Sequence, residues 1–329
     1  TLSSSSAASD VYKRQPLTDR GQAGLTWPGL SPEEAAARGA VKMLGSFSRR
    51  AIFGAGMLWM ALLPVLAVLP GILMVFPRVS GNEDYRAVFP VLAVWTPLFV
   101  LLTVVLWLLL VILTVRICAV FIQPGFFPQE SVTGWAVWLT QSLLLKTRTA
   151  TYFMYAGWLT PAFMRILGAR VGEDTEISTV ETIPHLTSIG DRCFLADHSL
   201  CSTTRNANGW IHLGTTVVGD GSFVGNSGIV GPDRDLPPDS LIAVLSSSPR
   251  RPGRGTSWLG RSTREIPRAQ VEADAARTFQ PPEHLKVARA VVEAFRLVPV
   301  LIAAYLGLFI VWALTEVYMR NGLGLDGFK

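Results

Sequence analysis

A period of six governs the middle of this 329-residue chain. In the stretch VVGDGSFVGNSGIVG, the pairs Val218-Gly219, Val224-Gly225 and Val230-Gly231 each place a β-branched residue before a glycine, six residues apart. Neither a helix, repeating at 3.6 residues, nor a strand, repeating at two, produces that spacing. A chain that turns a corner every six residues does. Its branched residue faces inward on a short strand, and glycine stands where the backbone approaches a neighbour or bends.

The pattern extends well beyond that stretch. Val171, Ile177, Ile183, Ile189, Leu195 and Cys201 form one unbroken ladder, and Val218, Val224, Val230, Leu236 and Ile242 form a second. Small residues recur four places after the rungs, as Thr175, Thr187, Cys193 and Ser199, then Ser222, Gly228 and Ser240. Between the ladders Leu213-Gly214 keeps the phase, whereas STTRNANGWI, Ser202 to Ile211, has lost its apolar rung. That segment reads either as a polar coil or as a loop thrown outward. With three six-residue sides to a coil, about four coils stack, and strands about 4.8 Å apart give a prism on the order of 20 Å tall.

Apolar residues outside the repeat come in blocks. Ala51–Phe76, Ala87–Val115 and Leu297–Thr315 carry no charge and are each close to or longer than a bilayer-crossing helix. Three transmembrane helices are expected, with Pro64, Pro70, Pro90 and Pro97 tolerated as they are in membrane spans. A cleaved secretory signal is not expected, since the first block begins about 50 residues in and a second follows it. Lys42, Arg49 and Arg50 precede the first block, and Arg116, Lys146 and Arg148 follow the second. By the positive-inside rule the amino end and the central region face the cytoplasm of a bacterial inner membrane. Trp135, Trp138, Tyr152, Tyr155 and Trp158 mark interfacial helices between the spans and the repeat.

The expected fold is therefore membrane α-helices plus an all-β unit. Its segments are a cytoplasmic amino-terminal segment 1–50, a transmembrane hairpin 51–123, interfacial amphipathic helices 124–166, a β-helix 167–268, a connecting helix 269–296, a transmembrane helix 297–317 and a tail 318–329. The opening run TLSSSSAASDVYKRQ is low in complexity, looks foreign to the protein and is set aside. SPEEAAARGAVKML, from Ser31, reads as a short capped helix.

The formal charge of +5 is not accompanied by an aromatic-studded basic face, which argues against nucleic acid as a partner. The charge is concentrated instead in RRPGRGTSWLGRSTREIPR, Arg250 to Arg268, which suits a solvated loop, anionic lipid headgroups or a phosphorylated ligand. Three cysteines, Cys118, Cys193 and Cys201, without CxxC spacing, fit a reducing compartment.

The ladders resemble the hexapeptide-repeat transferase superfamily, and GWLTPAFMRILGARVG, Gly157 to Gly172, is similar to the helix that enters the first coil in many of its acetyltransferases. That resemblance implies a left-handed parallel β-helix, opposite to the general crossover rule. Two spans, a surface helix, a β-helix containing FVGNSG and the closing GTSWLG, then a further span, are similar to a carboxy-terminal unit of poly-amino-acid synthetases of the ε-poly-lysine type. The chain then looks like one unit of something longer. The resemblance implies acyl or aminoacyl transfer from a phosphopantetheine thioester on a carrier domain, with acyl-CoA as the alternative donor and no resident cofactor. It implies as partners membrane lipid, carrier and adenylation domains or sister β-helix units, and further copies of the chain.

Such a transfer needs a base and an oxyanion donor. Acetyltransferases of the superfamily place the base about where Thr204, Arg205 and Asn206 stand here, and histidine is missing from those positions. His198, at a coil corner, and His212, closing the excursion, are the candidate catalytic residues. Arg205, Asn206, Asn208 and Asn226 are candidate substrate ligands. Gly225 and Gly228 of GNSG offer backbone amides, and Trp258, Gly260 and Arg261 stand where the family closes its last coil over the donor's arm. The competing readings are corner residues bonded to backbone, plain repeat turns and an apolar cap. A third possibility is a non-catalytic unit that shapes a chamber or docks a carrier. A zinc site like that of γ-type carbonic anhydrases would need His185, His198 and His212 at neighbouring corners. Their spacings of 13 and 14 sit poorly with an 18-residue coil, and no metal is expected.

Overall fold

The computed structural model describes residues 44–81, 84–201, 204–207, 209–268 and 281–320. The expected helix around Ser31, the low-complexity opening run, Asn208 and residues 321–329 of the tail lie outside the described residues. Helix α1 (Ser46–Val79) and helix α2 (Tyr85–Ala119) form an antiparallel pair. Met60, Leu63, Ala67, Gly71 and Val75 recur at three or four residues on α1 and are its buried stripe. Pro64, Pro70 and Pro77 sit within α1 without ending it. At Gly71 a side chain would meet the Phe99 ring at 2.6 Å, so the glycine is what lets the pair approach.

Helix α3 (Val132–Ala150), capped by Ser131, packs across both spans through Ala136, Val137, Leu139 and Leu143. The short helix α4 (Leu159–Leu167) ends at Gly168 and leads straight into the first strand of the repeat. After the repeat come α5 (Glu283–Phe295) and α6 (Val298–Arg320). Three helices, α1, α2 and the one ending at Arg320, are long and apolar enough to cross a membrane.

The spans are tied to the β unit at one end. Arg49 at the start of α1 pairs with Glu130, His185 in the first coil bonds the Ile122 carbonyl just beyond α2 at 3.0 Å, and Arg289 of α5 reaches Glu176. At the other end Arg86 and Arg320 share Glu316.

The repeat closes as a three-faced parallel β-helix. Arg170–Val171, Thr187–Ile189, Thr216–Val218 and Arg234–Leu236 stack in parallel on the first face. The second face stacks Glu176–Ile177, Phe194–Leu195, Phe223–Val224, Leu241–Ile242 and Ser257–Leu259. The third stacks Val180–Thr182, Ser199–Cys201 and Ile229–Val230, and Ser247 adds a bridge. The number of turns thus depends on the face, with four, five and three strands against the expected four coils.

Ile177, Ile183, Leu195, Cys201, Val218, Val224, Val230, Leu236 and Ile242 are all at most 2% exposed and form the core of the prism. Burying such a side chain contributes roughly 1.5–3 kcal/mol each. The glycines after the rungs serve close approach, not bending. A side chain at Gly190 would stand 2.7 Å from the Asp220 amide, and one at Gly219 would stand 2.5 Å from Pro238 N. The bends fall two residues later, where Arg192, His198, Ser227, Asp233, Asp239 and Leu245 take φ between 52° and 62°. Small polar residues at the fifth place bond across coils: Thr175 accepts from the Cys193 amide at 3.0 Å, and Ser222 from the Ser240 amide at 3.2 Å.

The rungless segment is a hairpin, not a coil. Thr204–Ala207 and Trp210–Leu213 pair antiparallel, and Gly125–Pro128, from just after α2, adds a third strand. The sequence offered two readings here, and the outward one holds.

Candidate functional site

The structure separates the two candidate histidines. His198 sits on the corner between the second and third faces, exposed, with φ 52° and its amide donated to Thr179 Oγ1 at 2.8 Å. The turns of the later coils stack on that corner: Ser227 N donates to the Asp197 carbonyl, and Leu245 N to the Asn226 carbonyl. Asn226 and the GNSG turn are therefore neighbours of His198. The GNSG amides are spent within the coil, Gly225 N on Ile242, Ser227 N on Asp197 and Gly228 N on Gly225. That arrangement removes Gly225 and Gly228 as oxyanion donors, because each amide proton already has an acceptor.

His212 belongs to a different corner, between the third and first faces. It lies on the second hairpin strand, opposite Phe126 on one side and Arg205 on the other. The Phe126 and His212 rings stack with centroids 4.3 Å apart and planes within 6°. His212 Nε2 lies 2.9 Å from a carboxylate oxygen of Asp233, the corner residue that starts the last strand of the first face. The imidazole is 18% exposed. Burial pushes it below the ordinary histidine range, Asp233 partly restores it, and Arg205 lowers it again. An Nε2–H held by a carboxylate leaves the lone pair on Nδ1, the tautomer a proton acceptor requires.

Arg205, a candidate substrate ligand, is the cross-strand partner of His212. Asn206 is opposite Ile211 on the same hairpin, so by strand alternation it belongs to the other face of the ribbon. Trp258, partly buried, packs against the prism core on the last parallel strand of the second face, and Gly260 follows that strand. Trp258 Nε1 donates to Thr256 Oγ1 at 2.8 Å and Gly260 N to Ser246 Oγ at 2.8 Å, while Arg261 is exposed in the turn leading to the antiparallel strand Arg264–Ile266. The sequence reading missed Phe126 and Asp233. The Asn208-Gly209 dipeptide was the available hairpin signal, and nothing local marks the third strand.

Among the described residues no three of His, Cys, Asp and Glu are grouped so as to hold a metal ion. His185 is committed to the joint with α2 and is pushed below its usual range, first by burial.

Over 202 residues the chain is 30% identical to the delta-poly-L-ornithine synthetase of Acinetobacter baumannii (strain AB307-0294). The match covers 60% of this chain and 15% of that protein. The chain is related to a poly-amino-acid synthetase and carries the hexapeptide-repeat fold. No family model matches it. The chain is also similar to a hexapeptide-repeat-containing acetyltransferase from Vibrio cholerae, with 16% identity, TM-score 0.29 and coverage of 31% of this chain and 62% of that one. A maltose O-acetyltransferase from Clostridium difficile 630 gives 14% identity, TM-score 0.33 and coverage of 46% and 96%. Scores below 0.5 add nothing to the strand register above, which defines the hexapeptide-repeat coil by itself.

Proposed function

We infer that the β-helix and its hairpin form a membrane-held acyl or aminoacyl transfer unit that makes amide bonds. The observation that carries this reading is the His212–Asp233 pair at 2.9 Å, in a ring environment that favours the neutral imidazole. A neutral, oriented histidine is the general base that amide formation requires. The acceptor's amine nitrogen attacks the carbonyl carbon of a thioester. The C–N bond forms, the C–S bond breaks, the amine's surplus proton passes to His212, and from there it goes to the departing thiolate.

The relative's name points to an amino acid as the amine and to its polymer as the product. The donor is a phosphopantetheine thioester on a carrier domain, with acyl-CoA as the second source. Membrane spans on either side of the β-helix hold it at the surface, and the concentration of Arg49, Arg50, Arg116, Lys146 and Arg148 at its end supports a cytoplasmic placement. Exposed Tyr152, Trp158, Leu159 and Ile166 at the same end suit the lipid interface.

The test uses the purified chain in detergent with an aminoacyl-pantetheine thioester and ornithine, following amide by mass spectrometry. His212→Ala lowers kcat by roughly 10²–10⁴-fold, and His198→Ala leaves it near wild type. Turnover unaffected by His212→Ala would remove His212 as the base, and a wild-type chain that forms no amide would assign the unit a scaffolding role.

A further inference from the structure

One arginine breaks the rule of the repeat. On the first face the parallel register places Thr187, Thr216 and Arg234 one above another. Thr187 and Thr216 are 2% and 0% exposed, as a position facing the prism demands. Arg234, half-buried, puts a long cation in that column four places after the rung Val230, where the two coils stacked beneath it on this face keep threonine. Its stem passes Gly231, where an added side chain would stand in ordinary contact with it at 3.7 Å. A local rule broken without a compensating contact marks a functional position.

No compensating contact exists among the described residues, where Arg234 has no hydrogen-bond or ion-pair partner. Its sequence neighbour Asp233 is engaged by His212. Burial, Arg250 and Arg205 all oppose its charge, in that order, and Asp233 only partly offsets them. A partly desolvated guanidinium among like charges is stabilised when an anion joins it.

We propose that Arg234, with Arg205 across the His212–Asp233 pair, binds a carboxylate carried by the same small molecule whose amine meets His212. The ligand class is an amino acid with a free carboxylate. A guanidinium offers two parallel N–H donors to two carboxylate oxygens. The position beside the base, not a distant one, suits a carboxylate that lies a few bonds from the reacting amine. The acceptor's identity rests on the transfer reading above, whereas the carboxylate site does not require that transfer occurs.

Binding of L-ornithine and of putrescine, the same diamine chain without the carboxylate, is compared by calorimetry on the full chain in detergent. Wild type binds ornithine roughly 10- to 100-fold more tightly. Arg234→Gln abolishes that preference. Arg254→Gln, on an exposed arginine paired with Asp239, preserves it. Equal binding of both ligands by wild type overturns the proposal, as does a preference that survives in folded Arg234→Gln. Thermal unfolding monitors folding, and Arg205→Gln, expected to weaken the preference, replaces Arg234→Gln should that variant unfold. Loss of the preference in Arg234→Gln together with no amide formation by the wild-type chain would keep the carboxylate site and sink the transfer reading. The reverse pair of results would do the opposite.

Discussion

Arg289, on the helix ahead of the last span, lies 2.6 Å from the Glu176 carboxylate on the first coil and 2.9 Å from Glu293 on its own helix. Glu293 in turn accepts from the Trp158 amide at 3.2 Å, and Arg296 donates to the Tyr155 carbonyl at 2.6 Å. The polar side of α5 is thereby clamped to the base of the prism, while Leu285, Val292 and Phe295 remain exposed. Both partners of the Arg289–Glu176 pair are about half exposed, so solvent screening limits its worth to about 0–1 kcal/mol. Arg289→Ala is expected to raise hydrogen exchange across Glu283–Phe295 while leaving the unfolding temperature of the β-helix nearly unchanged.

Leu195 is fully buried at the centre of the second face. Leu195→Ala should cost about 2–5 kcal/mol, because the stacked coils above and below cannot collapse into the space. Denaturant unfolding followed by circular dichroism measures it. A loss below about 1 kcal/mol would contradict a close-packed interior.

Acid dependence should follow from His212. Its folded pKa lies below the ordinary value because of burial. The folded protein therefore binds fewer protons than the unfolded chain below about pH 6.5, and stability falls as pH drops through that region. For catalysis the sign is favourable, since the imidazole stays neutral to lower pH and the acid limb of kcat moves down. Asp233→Asn removes a group that raises the pKa and should lower the midpoint further, whereas Arg205→Gln should raise it. NMR titration of the ring protons distinguishes the two directions.

Cys201 is fully buried in the prism, and burial pushes its thiol up to about 12. Cys193 is raised by the same cause. Since the thiolate is the reactive form, neither should be alkylated by iodoacetamide at neutral pH until the coil unfolds. Rapid labelling of the native protein at Cys201 would mean that the coil opens locally.

The coil was legible from the chain alone because its cause is local: each rung must face the same interior every six residues, so burial is written directly as a period. The three apolar spans were legible for a similar reason, as their length and lack of charge answer to the bilayer and not to other parts of the protein. The site was not. His212 reaches Asp233 across 21 residues, and Phe126 covers the ring from a strand 86 residues earlier, so both contacts depend on how the hairpin folds over a corner. His198 led the catalytic candidates in sequence, with Asn226 as a polar ligand, and only the order of faces around the prism put them on a different corner from His212. A six-residue period fixes which residues point inward; which outward residues meet is decided by chain segments that arrive from elsewhere.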